Sequence, residues 1–132
     1  MRYLLDTNIV SDLVRNPQGK IAEQIFTVGE SKVCTSIIVA AELRYGTEKK
    51  QSPRLSAQLE AVLGALDILS FEKPADASYG TIRAQLERAG KPIGANDLLI
   101  AAHALTLGYT LVTDNEKEFS RVRHLFLENW LR

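Results

Sequence analysis

The sequence predicts a three-layer α/β domain in which a parallel sheet lies between helices. Three observations predict it. Short apolar runs of strand length recur along the chain, nearly continuous rather than alternating, as expected for strands buried on both faces. Stretches with apolar residues at helical spacing lie between them. The chain has 132 residues, 45% of them hydrophobic, which is enough for one well-filled core and too little for two. Residues 1–132 are therefore read as one domain with about five strands.

Tyr3-Leu4-Leu5 is the first strand and Val33-Cys34-Thr35-Ser36 the second. A helix starts near Ile37. Ser52-Pro53 opens another, with a capping side chain followed by proline at the first helical position. Its apolar stripe is Leu55, Leu59, Val62, Leu63 and Leu66. Asp67 to Phe71 is the third strand. Tyr79, Ile82 and Leu86 mark the next helix, and Gly90 is its stop. Leu98 to Leu107 is apolar almost all round, so that helix is expected to be deeply buried, with Gly108 ending it. Thr110 to Thr113 is the fourth strand and Leu125-Phe126-Leu127 the fifth.

Composition excludes several classes of function. A single cysteine, Cys34, permits no internal disulfide, and two histidines with one cysteine argue against a structural zinc site. Cys34 lies in an apolar run and reads as a small buried hydrophobe. No apolar run approaches the roughly 18 residues that span a bilayer. An acid, Asp6, falls where a signal peptide would continue its apolar stretch, so a cytoplasmic location is expected. Sixteen acids balance sixteen lysines and arginines. Net charge alone neither supports nor excludes a nucleic-acid substrate, because acids gathered at one site leave a basic excess elsewhere.

Four acids stand out. In parallel sheets the functional crevice lies beyond the carboxyl ends of the strands. Asp6 follows the first strand and Asp114 the fourth, although aspartate also commonly begins a turn. Glu42 shares a helical face with Ile38, Ala41 and Tyr45, where a carboxylate is costly unless paired or bound to metal. The plainer reading lets it reach water or Arg44. Asp97 heads the face formed by Ile100, Ala101 and Ala104, and an N-cap or first-turn acid favoured by the helix dipole fits there too. Gathering such carboxylates calls for a cation. Two charges ~4 Å apart repel by about 4 kcal/mol at an effective dielectric near 20. A hard divalent cation removes that repulsion and prefers oxygen ligands.

These segments resemble the PIN-domain ribonucleases of bacterial toxin–antitoxin pairs, the VapC-type toxins, over essentially the whole chain. Tyr3-Leu4-Leu5-Asp6-Thr7-Asn8 matches the first acid motif of that family, and Ser36 to Gly46, around Glu42, its second. Ile93 to Ala102, around Asp97, matches the third. Leu111-Val112-Thr113-Asp114-Asn115, followed by Glu118-Phe119, resembles the fourth. The resemblance implies a parallel sheet in the order 3-2-1-4-5. It implies endonucleolytic RNA cleavage dependent on Mg²⁺ or Mn²⁺, often of tRNA and in some relatives of initiator tRNA. It further implies a homodimer, and an antitoxin protein that blocks the site within a larger complex. Asp6, Glu42 and Asp97 would hold the metal and orient the attacking water, with Asp114 a fourth catalytic candidate. Thr7, Asn8, Ser36, Thr113 and Asn115 are supporting candidates.

One departure from the family pattern bears on the metal count. The family usually has an acid two residues after the threonine of the fourth motif. Asn115 occupies that position here, with Asp114 one residue earlier. Either can fill the fourth role, with one metal or two. Arg44, Lys49, Lys50 and Arg54 follow Glu42 closely and are candidate RNA phosphate contacts, or else a solvated charged turn. His103 lies in the apolar helix and reads as a satisfied buried histidine, and Trp130 as a packing residue. Two rival readings are a phosphoacceptor receiver domain and a PIN-like binding module without catalysis. Ser70-Phe71 at the end of the third strand lacks the receiver's phosphoacceptor aspartate, and Glu128-Asn129-Trp130 after the fifth lacks its lysine.

Overall fold

The computed structural model describes residues 1–132. Its five strands are β1 (Tyr3–Leu5), β2 (Val33–Ser36), β3 (Asp67–Leu69), β4 (Thr110–Val112) and β5 (Leu127–Glu128). Its helices are α1 (Thr7–Arg15), α2 (Lys20–Val28), α3 (Ile37–Lys50), α4 (Pro53–Ala65), α5 (Ala75–Arg88), α6 (Ala95–Leu107) and α7 (Glu116–Phe119). All strand pairs are parallel, in the order β3-β2-β1-β4-β5. That order is the expected 3-2-1-4-5. It also removes the receiver reading, since receivers have the order 2-1-3-4-5.

The central strands are buried on both faces, and each leads into a helix. Leu4, Leu5, Cys34, Leu111 and Val112 are fully buried. Leu5 pairs with both Thr35 and Val112, so Asp6, Ser36 and Thr113 emerge side by side at one rim. Two helices in the first 28 residues are not among those assigned from the sequence, although Ile9, Val10, Leu13 and Val14, and then Ile21, Ile25 and Val28, recur at helical spacing. In α1 the buried pair Ile9 and Val10 faces the core. The fifth strand is displaced to Leu127–Glu128. His124 takes a left-handed backbone (φ 67°), and the edge strand pairs only from Leu127 onward.

The most hydrophobic helix behaves as its composition requires. Leu98 and the run from Ile100 to Ala104 are buried in α6, and Gly108 closes it in the left-handed conformation at φ 69°. Each fully buried leucine or isoleucine contributes about 1.5–3 kcal/mol, so this helix anchors whatever its first turn carries. His103 is buried with its Nδ1 2.8 Å from Ser36 Oγ and its ring edge-on to Phe71. Burial lowers its pKa, so it stays neutral and structural. Trp130 is buried beside Tyr3. Cys34 is buried, and desolvation pushes its thiol up to about 11, which leaves it inert. No helix is long and apolar enough to cross a membrane.

Candidate active site

Asp6 is the last residue of the β1 ladder and the cap of α1. Its backbone N–H donates to Val112 O at 2.9 Å, and its Oδ1 accepts from Thr7 N–H at 2.8 Å. Its Oδ2 accepts from the Thr113 hydroxyl at 2.7 Å. The residue is 3% exposed. Burial raises its pKa, against the hydrogen bonds from Thr113 and Thr7, and Glu42 and Glu118 add to the rise.

Glu42 reaches the same rim from the middle of α3. Thr7 donates its hydroxyl to Oε1 at 2.6 Å, and the Asn96 amide donates to Oε2 at 3.1 Å. The apolar face expected around Glu42 needs correction. Ala41 and Tyr45 are exposed, and the buried face of α3 is carried by Val39 and Ala40. Glu42 is half-buried because it is held by Thr7 and Asn96, not because it interrupts a core stripe.

Asp97 sits in the first turn of α6, above the buried Ile100, Ala101 and Ala104. Gly94, not Asp97, caps this helix. Burial, then the charges of Asp6, Glu118 and Glu42, push the Asp97 carboxyl up to about 7. Glu118, on α7, completes the group. Its Oε2 accepts from the Asn115 amide and its Oε1 from Gly94 N–H, each at 3.0 Å. Those bonds, that of Asn115 foremost, hold its pKa low, and its charge helps to raise that of Asp97. Glu118 falls within the fourth motif, but sequence reasoning does not single it out as a site residue. Its spacing three residues after Asn115 on one helical turn is the available signal.

The remaining candidates separate into two groups. Asn8, Asn115 and Lys50 line the cleft with Asp6, Glu42 and Asp97; its volume is about 490 Å³. Thr113 and Thr7 hold carboxylates directly. Asn8 also accepts from Asp114 N–H at 3.1 Å. Ser36 faces away, capping α3 through Ile38 N–H and meeting His103. Asp114 is exposed, its Oδ1 accepting from Asn129 at 2.9 Å. Arg44 forms an exposed two-bond ion pair with Glu60. Lys49 lies over the Tyr45 ring, and Arg54 is exposed on the first turn of α4.

The donor set suits a hard divalent cation. The side-chain oxygens available to a cation are those of carboxylates and amides, and the like charges around Asp97 are what a cation would neutralise. No three of the acids close into a protein cage. An open set of this kind suits Mg²⁺, which usually keeps several waters and binds through one or two carboxylates together with substrate phosphate.

The PIN domain family model matches residues 3–125. Ribonuclease VapC2 of Haemophilus influenzae is 42% identical over 99% of each chain. The tRNA(fMet)-specific endonuclease VapC of Shigella flexneri is 38% identical over 98% of each. The crystal structure of VapBC2 from Rickettsia felis, bound to a promoter DNA fragment, superposes with a TM-score of 0.92. Its matched chain is 38% identical, with 98% of this chain and 99% of that one covered. The fold and its acidic rim thus define a PIN-domain nuclease. Within that class, the chain belongs to the VapC ribonuclease family. PIN-domain nucleases generally depend on a divalent metal.

Proposed function

We propose that this chain is the toxin of a toxin–antitoxin pair, a Mg²⁺- or Mn²⁺-dependent endoribonuclease that hydrolyses RNA, tRNA in particular, in the cytoplasm. The observation that carries the reading is the gathering of Asp6, Glu42, Asp97 and Glu118 at one rim of the sheet, within reach of each other's charge. Asp6 and Asp97 would hold the cation, with Glu42 acting through water and Glu118 taking the fourth acidic role beside them. When bound, the cation shields phosphate charge and lowers the pKa of a water.

The chain's own side chains do the rest. Thr113 and Thr7 N–H keep Asp6 in one orientation from two sides. Thr7 and Asn96 do the same for Glu42, whose carboxylate can accept a hydrogen from the attacking water. Asn115 and Gly94 hold Glu118 ionised against Asp97. Lys50 lies in the cleft, where an ammonium can meet the phosphate beside the cut. Hydrolysis adds the water oxygen to phosphorus and breaks the bond to one ester oxygen, which leaves with a proton. Arg44, committed to Glu60, contributes less to RNA affinity on this reading, and Asp114 stands outside the ligand set.

The VapBC structure matched above pairs its toxin with an antitoxin. We assign this chain a partner of that kind, and a homodimeric state. The test is cleavage of total tRNA by purified protein. EDTA should stop it, and excess Mg²⁺ or Mn²⁺ should restore it. Full activity in excess chelator would overturn the metal-dependent reading.

A further inference from the structure

A cavity of about 730 Å³, larger than the acidic cleft, lies outside it. It opens between α5, the end of α6 and the segment that follows α7. Its walls carry Arg88, Arg121, Arg123 and His124, and no aspartate or glutamate is among its lining residues. Arg88 and Arg123 are exposed and form no ion pair. The floor is apolar, including the buried Ile82 and Val122. On a chain of zero net charge, an acid-free cleft with three arginines concentrates positive potential.

The cleft is tied to the acidic site. Arg121 donates to Pro92 O at 3.1 Å, and Gly94, two residues on, donates to Glu118. Arg121 is also close enough to Glu118 for its charge to help lower that carboxyl's pKa. One short bridge therefore separates the arginine cleft from the carboxylates. Nuclease acids repel the RNA backbone, so binding must come from positive charge placed beside them. Arg44, the first basic residue after Glu42, is spent on Glu60.

We propose that this cleft binds the single-stranded RNA that flanks the scissile phosphate. Arg88, Arg121 and Arg123 contact successive phosphates, and a base or ribose rests on the apolar floor. Guanidinium groups suit this role because they pair with phosphate oxygens in a two-bond geometry and are always charged. The proposal rests on the ribonuclease reading above and adds where the substrate lies.

The test compares the wild type with Arg88→Gln/Arg123→Gln and a control, Lys20→Gln/Lys32→Gln, which removes the same charge elsewhere. Steady-state cleavage of tRNA is measured across a salt series. The arginine variant should raise KM about ten-fold with kcat near wild type. Its plot of log affinity against log salt should flatten by roughly 0.7 for each single-strand phosphate that the protein no longer neutralises. The lysine control should leave both nearly unchanged. Equal effects of the two variants would overturn the proposal while leaving the ribonuclease reading intact. An unchanged KM with weakened dimerisation or antitoxin binding would also overturn it, and make the cleft a protein interface. A wild type that fails to cut or bind RNA would instead remove the functional reading itself. Circular dichroism melts of both variants check folding. Should the arginine pair unfold the chain, the single Arg123→Lys variant, expected to keep partial affinity, replaces it.

Discussion

The hydroxyl of Thr113 is shared between two neighbours: it donates to Asp6 Oδ2 and accepts from Asn115 N–H at 2.9 Å. Thr113→Val keeps the shape and removes both bonds. Stability should fall by about 1–3 kcal/mol, because a buried carboxylate oxygen loses its donor. Cleavage or metal affinity should fall roughly 10- to 100-fold, as expected for a group that orients a ligand. Thr113→Ser should recover most of both in denaturant melts and cleavage assays. Asp97 gives a pH signature. Its carboxyl is held at about 7, above the ordinary 3.8. Between those values the folded, metal-free chain keeps a proton that the unfolded chain has lost. Its stability therefore falls as pH rises from about 4 to 7. Asp97→Asn has no such slope. In EDTA at about pH 8 it should melt above the wild type, with the gap closing towards about pH 4. Its cleavage should drop by roughly 100-fold or more. Parallel wild-type and variant melting curves across pH would refute the assignment.

Helix α3 shows how an element can carry a site residue without itself being the site. Ser36 caps it by accepting from Ile38 N–H at 3.0 Å, and also meets the buried His103. Ser36→Ala should cost roughly 1–3 kcal/mol through the lost cap and an unsatisfied imidazole nitrogen. Its kcat should stay near wild type, since the hydroxyl faces the core and not the cleft. A large kcat loss at unchanged stability would place Ser36 in the chemistry instead. Capping makes the start of this helix legible in the sequence, as it does for Ser52-Pro53 at α4. The inward face of α3 is not legible from spacing. Ile38, Ala41 and Tyr45 look like a core stripe around Glu42, yet neighbouring elements cover Val39 and Ala40. Periodicity reports that a helix has faces, and packing decides which one is inside.

At the scale of the whole molecule, four carboxylates from four separate segments are held together by the core beneath them. The repulsion this stores should be released by metal binding. At a hundred-fold excess over its dissociation constant, Mn²⁺ should stabilise the folded chain by about 2.7 kcal/mol. Thermal melts with and without Mn²⁺ measure this, and the gain should shrink in Asp97→Asn. No stabilisation at saturating Mn²⁺ would argue that the acids do not form a cation site. The arginine cleft is a feature of this scale too. Arg88 and Arg121 lie on opposite sides of α6 in the chain and meet only through its packing.

The sequence by itself determined the layered architecture, the strands that form the rim and, through its motifs, three of the four acids that gather there. The architecture follows from local causes: unbroken apolar runs make buried strands and capping residues start helices, whereas an acid following a buried strand can face the rim, as Asp6 does, or turn from it, as Asp114 does. The fourth acid belongs to the tertiary structure. Glu118 is 24 residues from Gly94, whose N–H holds it, and no local pattern records that bond. The same is true of Asp114, turned to Asn129, and of Arg44, drawn to Glu60. Electrostatic and hydrogen-bonding partners are chosen by distance in space, and the packing of α3, α6 and α7 onto the sheet sets those distances.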